Sequence, residues 1–209
     1  MYPLPQDLHI HTTFSRSDSA VVPEQTVALV ASIGHAQVIG ISDHLESIVE
    51  DFPAYAAAVR SYGLKVGTEV SGADWAREAE AVEAQYYLYH CRDREEDYRG
   101  AERLLRTGKP VIIAHPLILE TDLRRVPPEC LIEINNRYVW RSNWELLRPF
   151  IEVFSFVMDS DAHQPHWLNQ NVARHVAREL GIAETLLFPD DRESHRPQPL
   201  KSGKNFEFL

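Results

Sequence analysis

Apolar residues along this 209-residue chain gather in seven short runs, at 8–10, 38–41, 66–70, 86–89, 111–114, 131–134 and 153–157. Each is too short for a helix and rich in Val, Ile, Leu or Tyr, the mark of buried strands. Helix-like stretches separate several of them. Residues 23–33 (PEQTVALVASI) begin with a proline and are followed by Gly34, the start and stop asymmetry of a helix. Residues 95–106 read as a second helix closed by Gly108, residues 143–150 as a third, and residues 169–180 as a fourth stopped by Gly181. Segments 46–53, 72–81 and 117–128 read as loops. Strands separated by helices imply parallel pairing through right-handed crossovers, and seven such strands in one domain predict an α/β fold, a distorted (β/α)7 TIM-like barrel. An open, doubly wound sheet is the alternative. The domain is expected to span residues 1–188. Residues 189–209, polar and proline-rich up to Lys204, are expected to wrap over the barrel or to be mobile, tethered by Phe206, Phe208 and Leu209.

Composition adds exclusions. Hydrophobic residues make up 44% and charged residues 25%, the balance of an ordinary globular domain. Lys and Arg number 21 against 31 Asp and Glu, a formal charge of −10, which counts against an extended nucleic-acid footprint because that requires a basic stripe. Cys91 and Cys130 are too few for a disulfide framework and read as reduced thiols of a cytoplasmic protein. The start MYPLPQD lacks the basic and then apolar run of a signal peptide. No apolar run approaches the ~20 residues that cross a bilayer.

The chemistry begins at His9 and His11 in DLHIHTTFS. On a strand, residues two apart share a face, so the two imidazoles can grip one cation. An isolated HxH is as readily two ordinary strand histidines, and only the rest of the chain decides between the two. His44 follows the second run in ISDH, Glu69 ends the third in VGTE, His90 follows the fourth in YYLYH and His115 the fifth in IIAHP. Asp161 and His163 follow the seventh in SDAH. Parallel barrels collect active-site groups at this one rim. Six of the ten histidines fall in the series, leaving His35, His166, His175 and His195 as surface or helix residues.

In this order HxHTxxS, SDH, GTE, AHP and SDAH resemble the PHP family, the polymerase and histidinol phosphatase domain, over about residues 7–163. The resemblance implies a phosphoester-hydrolysing barrel with up to three divalent metal ions, zinc, manganese or iron. Carried over by motif, it implies that His9, His11, Glu69 and Asp161 hold one metal. Glu69 would bridge to a second held also by His90 and His115. Asp18, His44 and His163 would hold a third, Asp18 through the match of FSRSDSA to HxHTxxSxxDA. Each metal then keeps an open position, as catalytic sites do, and imidazole with carboxylate but no thiolate suits zinc, iron(II) or manganese(II). Neighbouring cations would make hydroxide available near neutral pH for in-line attack on phosphorus, with Glu69 and Asp161 at the centre of the chemistry.

Around this series stand lesser candidates. Asp43, beside His44, is expected among the catalytic groups or as a carboxylate orienting an imidazole, and Asp7 in the orienting role alone. Arg16, Asn135 and Arg137 are expected to bind substrate phosphate, with surface or turn duty as the plain alternative. The four tryptophans, Trp75, Trp140, Trp144 and Trp167, are expected in the core more than around a pocket. The partner is a small phosphorylated substrate, a metabolite or nucleotide. Two rival readings are a non-catalytic metal-binding module and an amidohydrolase-like enzyme, which would require a lysine at a middle strand end where this chain has Glu69 and His90.

Overall fold

Seven parallel strands, β1 (Leu4–Asp7), β2 (Ala36–Ile41), β3 (Lys65–Val70), β4 (Tyr86–Tyr89), β5 (Val111–Ile113), β6 (Leu131–Asn135) and β7 (Ser155–Asp159), pair in strict chain order in the computed structural model, which describes residues 3–189. Sequential order excludes the doubly wound alternative, whose strand order reverses at a switch point. The sheet curls until β1 faces β7, a nearly closed barrel wrapped by helices α1 (Val27–Ile33), α2 (Leu45–Ile48), α3 (Phe52–Arg60), α4 (Ala76–Ala81), α5 (Glu95–Leu105) and α6 (Asn171–Leu180). All but the first residue of the expected tail, residues 190–209, lies outside the described residues.

Two sets of side chains fill the barrel. Leu8, Val38, Tyr86, Leu88, Ile112, Ala114, Leu131 and Val157 form an inner cluster drawn from the strands and the turn after β1. Tyr87, Tyr89, Ile113, Ile132 and Met158, the alternate residues, join the helices in the outer core. This is the period of two expected of a pleated strand. Tyr86 is the largest inner side chain, and its hydroxyl donates to the Leu8 carbonyl at 2.6 Å. Gly40 and Gly67 make room for its ring: a Cβ at Gly67 would overlap Tyr86 Cζ. Gly67→Ala is therefore expected to destabilise the fold by about 1–3 kcal/mol, the usual cost of overpacking. An unchanged urea midpoint would show that the ring yields freely.

The seam between β1 and β7 explains where the HxH lies. β1 was expected at residues 8–10, but its ladder with β2 runs from Leu4 to Asp7. Beyond it, Leu8 N–H leaves the ladder to donate to Asp159 Oδ1 (2.6 Å), and Ser160 N–H donates to Asp7 Oδ1 (3.0 Å). Ile10 then bridges to Ala162. His9 and His11 thus stand just past the strand, on the stitch that brings the first and last strands together. Asp7 is occupied by this seam and by His35 Nε2 at 2.8 Å, so it orients no ligand histidine, and His35 is a paired residue, not a free surface one.

Several helix boundaries differ from expectation for local reasons. α1 starts at Val27 because Thr26 Oγ1 accepts the Leu29 N–H, and it ends at Gly34 with φ 58°. Residues 143–150 form a 3-10 turn (Trp144–Phe150) in place of an α-helix, since Pro149 inside it lacks an N–H. The expected loops 46–53 and 72–81 carry α2, the start of α3, and α4. In α3, Phe52, Tyr55, Ala56 and Val59 are buried at helical spacing, and Pro53 opens the helix.

Candidate metal centre

Every strand but β6 delivers a predicted ligand to one rim. Glu69 lies within β3; His90 follows β4, His115 follows β5, and Asp161 and His163 follow β7. His44 bridges to Glu69 across β2 and β3. His11, Asp18, His44, Glu69, His90, His115, Asp161 and His163 line one cavity of about 240 Å³, together with Arg137 and Tyr138. His9, fully buried, meets the lining residue Glu69 at 3.2 Å. All nine residues predicted as ligands are therefore brought together.

Glu69 is the centre of the arrangement. Its Oε1 lies 2.6 Å from His90 Nε2 and 3.2 Å from the Nε2 atoms of both His9 and His115. Its Oε2 faces the other way, 3.3 Å from His11 Nε2 and 3.0 Å from His44 Nδ1. Asp18 Oδ2 closes the far side, 2.8 Å from His163 Nε2 and 3.3 Å from His44 Nε2. Asp161 Oδ1 lies 3.8 Å from His9 Nε2 and 3.2 Å from His163 Nδ1. Among the described residues three sets of side-chain atoms are compact enough for one ion each: His9 with His11 and Asp161; His9 with Glu69 and His115; His11 with His44 and His163. The first holds three of the four residues expected together, without Glu69. The other two share His9 and His11 more widely than expected, because these imidazoles stand between the others.

The hydrogen bonds behind the imidazoles test whether a cation fits. His9 Nδ1 donates to Glu133 Oε1 at 2.7 Å. His11 Nδ1 donates to Ser15 Oγ at 3.2 Å, since the Ser15 hydroxyl proton is already given to Asp43 Oδ1 at 2.7 Å. With Nδ1 protonated in both rings, both Nε2 atoms carry lone pairs, and they lie 3.1 Å apart with Glu69 oxygens beside them. Acceptors converge on one space without a donor. A proton or a cation must occupy it, and His115 Nδ1 is likewise buried without a hydrogen-bond partner among the described residues. The ligand set fits divalent cations of the zinc, manganese or iron(II) kind. Cys91, next to His90, packs in the outer core, and burial pushes its thiol up to about 12, so it is no thiolate ligand.

Charge in the cluster shifts these side chains in opposite directions. Burial disfavours the His9 cation, yet Glu133, Asp161 and Glu69 outweigh it and raise its proton affinity well above the ordinary range. Burial, joined by His163 and His44, lowers His11 to about 3. Burial also opposes charge on His44, but Asp18 and Glu69 raise it to about 10. Asp18 is held well below the usual carboxylate range by His163 and His44. Burial works against the Glu69 anion, but the surrounding histidines, His90 first, hold it low as well. His115 and Asp161, at φ 31° and 55°, adopt left-handed backbone that costs side-chain-bearing residues about 1–3 kcal/mol.

Not every predicted residue reaches the cavity. Asp43, expected among the catalytic groups, is buried beneath the first loop. Its carboxylate is taken up by Thr12 and Ser15, through their backbone N–H groups and hydroxyls, and burial lifts it to about 6 despite these donors. It positions His11 through Ser15. Asn135 does not face the cavity either: its amide donates to Glu133 Oε2 and Asp161 Oδ2, both at 3.0 Å, which fixes Asp161. Arg16 is exposed and does not line the cavity. Arg137 does, with Nη1 3.3 Å from Asp161 Oδ1 and 3.2 Å from His163 Nε2. Glu133 is the group the sequence reading missed. It is fully buried in β6, holds His9, and accepts the His115 N–H at 2.6 Å. The available signal was a lone acid inside the apolar run LIEIN.

The sequence profile of the PHP domain matches residues 7–178. No curated protein gives a significant sequence match. Among solved structures, a sugar phosphate isomerase/epimerase from Parabacteroides distasonis is 13% identical, with 88% of this chain and 85% of that one covered at a TM-score of 0.51. A dihydropteroate synthase from Xanthomonas albilineans is 14% identical over 86% of this chain and 85% of its own, with a TM-score of 0.49. A truncated 3-deoxy-D-arabino-heptulosonate 7-phosphate synthase from Thermotoga maritima is 14% identical over 92% of this chain and 80% of its own, at 0.48. At such identity the first of these speaks for the barrel fold alone.

Proposed function

The chain belongs to the PHP domain family, and from that premise we propose that it is a metal-dependent phosphoesterase acting on a small phosphorylated metabolite or nucleotide. The observation that carries the reading is the split of one buried carboxylate, Glu69, between His9, His90 and His115 on one side and His11 and His44 on the other. Up to three divalent ions would be held by His9, His11, Glu69 and Asp161; by Glu69, His90 and His115; and by Asp18, His44 and His163. When bound, such ions supply Lewis acidity to phosphate oxygens and lower the proton affinity of water.

The chain's own groups do the rest. Glu133 holds the His9 ring with its Nε2 turned to the cavity, and Asp43 does so for His11 through Ser15. Asn135 holds Asp161, leaving Oδ1 to face His9, His11 and His163. Arg137 lies in the cavity wall, and its guanidinium presents a fork of donors to a phosphate entering there. Among the described residues no lysine lines the cavity, which counts against the amidohydrolase-like reading. Monoesters are preferred to polynucleotides, since the formal charge of −10 repels a long polyanion. Among the described residues no helix is long and apolar enough to cross a membrane.

Protein loaded in turn with manganese, zinc and iron is expected to hydrolyse 4-nitrophenyl phosphate faster than its bis ester. Inactivity of every loaded form across a monoester and diester panel defeats the reading; faster diester turnover reverses only the preference. His115→Ala separates a catalytic from a purely structural metal role: turnover should vanish while the far-UV spectrum persists. Glu133→Gln is expected to weaken metal affinity about 10- to 100-fold, as loss of the carboxylate behind a ligand histidine usually does, measured by chelator competition. Wild-type affinity in that variant would place His9 outside the metal site.

A further inference from the structure

Beside the metal cavity runs a second groove, of about 340 Å³, bounded by Arg137, Trp140, Arg141 and Trp167 with Asn136 and Asn169 among its polar groups. Its volume is that of a small-molecule site, which typically falls at about 300–1,000 Å³. The two cavities share Arg137. From Arg137 a series of cation and ring contacts leads outward. Its guanidinium lies over Trp167 (5.2 Å) and Tyr138 (5.0 Å), while that of Arg141 lies over Tyr138 (4.6 Å) and Trp140 (5.8 Å). Such stacking holds a guanidinium in place while leaving its edge donors free.

The two arginines differ in one respect. Arg137 is paired with Asp161. Arg141 has neither a carboxylate in ion-pair range nor a side-chain hydrogen bond among the described residues, in a chain with ten more acids than strong bases. Trp140 is 64% exposed, so it is no core residue; its indole N–H is tied to the Arg137 carbonyl at 2.8 Å, which fixes the ring at the groove. An oriented, exposed tryptophan and an uncompensated arginine beside the metal cavity are the components of a selective subsite.

We propose that this groove receives the leaving-group half of the substrate, and that this half is planar and conjugated and carries a negative charge of its own, which Arg141 binds. The substrate is then anionic at both ends, with its phosphate at the metal cavity and its second anion, a carboxylate or a phosphate, at Arg141. Trp140 and Trp167 supply faces for the planar part. The inference rests on the phosphoester reading for the first end alone.

Three esters test it in the metal-loaded protein: phenyl phosphate, 4-carboxyphenyl phosphate and 1,4-phenylene bisphosphate. The charged esters should show KM values at least tenfold below that of phenyl phosphate, and the lower of the two identifies the second anion. Arg141→Ala should bring the KM ratio close to one. Trp140→Ala should raise KM for all three aryl esters relative to glycerol phosphate, whereas Trp140→Phe should largely restore it. Binding is read separately from turnover by quenching of tryptophan fluorescence with the non-hydrolysable 4-carboxybenzylphosphonate, at least tenfold weaker in Arg141→Ala. Equal KM values for charged and uncharged aryl esters in the wild type overturn the proposal while leaving the phosphoesterase reading intact. If no ester is hydrolysed, that reading falls, and the fluorescence titration alone decides the groove: affinity unaltered by Arg141→Ala overturns it.

Discussion

Glu69→Gln is expected to lower kcat on an aryl phosphate by about a thousandfold or more, the largest effect of any conservative single change in this protein. The change keeps the shape of the side chain and removes its charge, and five imidazole nitrogens lie 2.6–3.3 Å from its oxygens. Lewis-acid stabilisation is worth several kcal/mol and each 1.36 kcal/mol is tenfold in rate, so loss of cations from either side of Glu69 costs about three decades. Kinetics should be paired with elemental analysis. Fewer bound metals and lost turnover are expected together; full occupancy with near wild-type kcat would remove Glu69 from the centre of the chemistry.

Chelation should abolish hydrolysis and also lower the melting temperature, with both restored by manganese, zinc or iron. A site filled at a hundred times its dissociation constant stabilises the fold by about 2.7 kcal/mol, and in a chain of this size each kcal/mol moves the midpoint about 2–4 °C. The effect has a definite pH dependence. His44 is raised to about 10, so in metal-free protein its bound proton contributes stability that is fully present below the ordinary histidine range and lost as pH rises through about 10. Cations compete with that proton. The metal-induced rise in melting temperature should therefore be larger at pH 8 than at pH 6, and a rise that shrinks with pH would show that His44 is not a ligand. Differential scanning fluorimetry with and without chelator measures both.

Much of this site was legible because the residues predicted as ligands obey strand geometry. His44, His90, His115 and Asp161 follow their strands by one to three residues, and Glu69 sits inside one. Boundaries were harder. β1 shifted to Leu4–Asp7 because a side chain, Asp159, captured the N–H of Leu8, an event no local apolar pattern records. α3 and α4 escaped notice since short helices laid against a barrel need only a narrow apolar face.

The chain alone determined the types of the residues predicted as ligands, their order and their arrival at one rim, since a parallel strand has one C-terminal end and a barrel gathers all such ends together. Tertiary structure decided which group stands behind which. Asp43, a neighbour of His44 in sequence, serves His11 through Ser15, whereas His9 is held by Glu133, 124 positions away. Arg137 reaches the cavity and Arg16 does not. These assignments turn on the direction of a side chain across the barrel, which depends on register and closure between strands remote in sequence, and spacing along the chain carries no record of either.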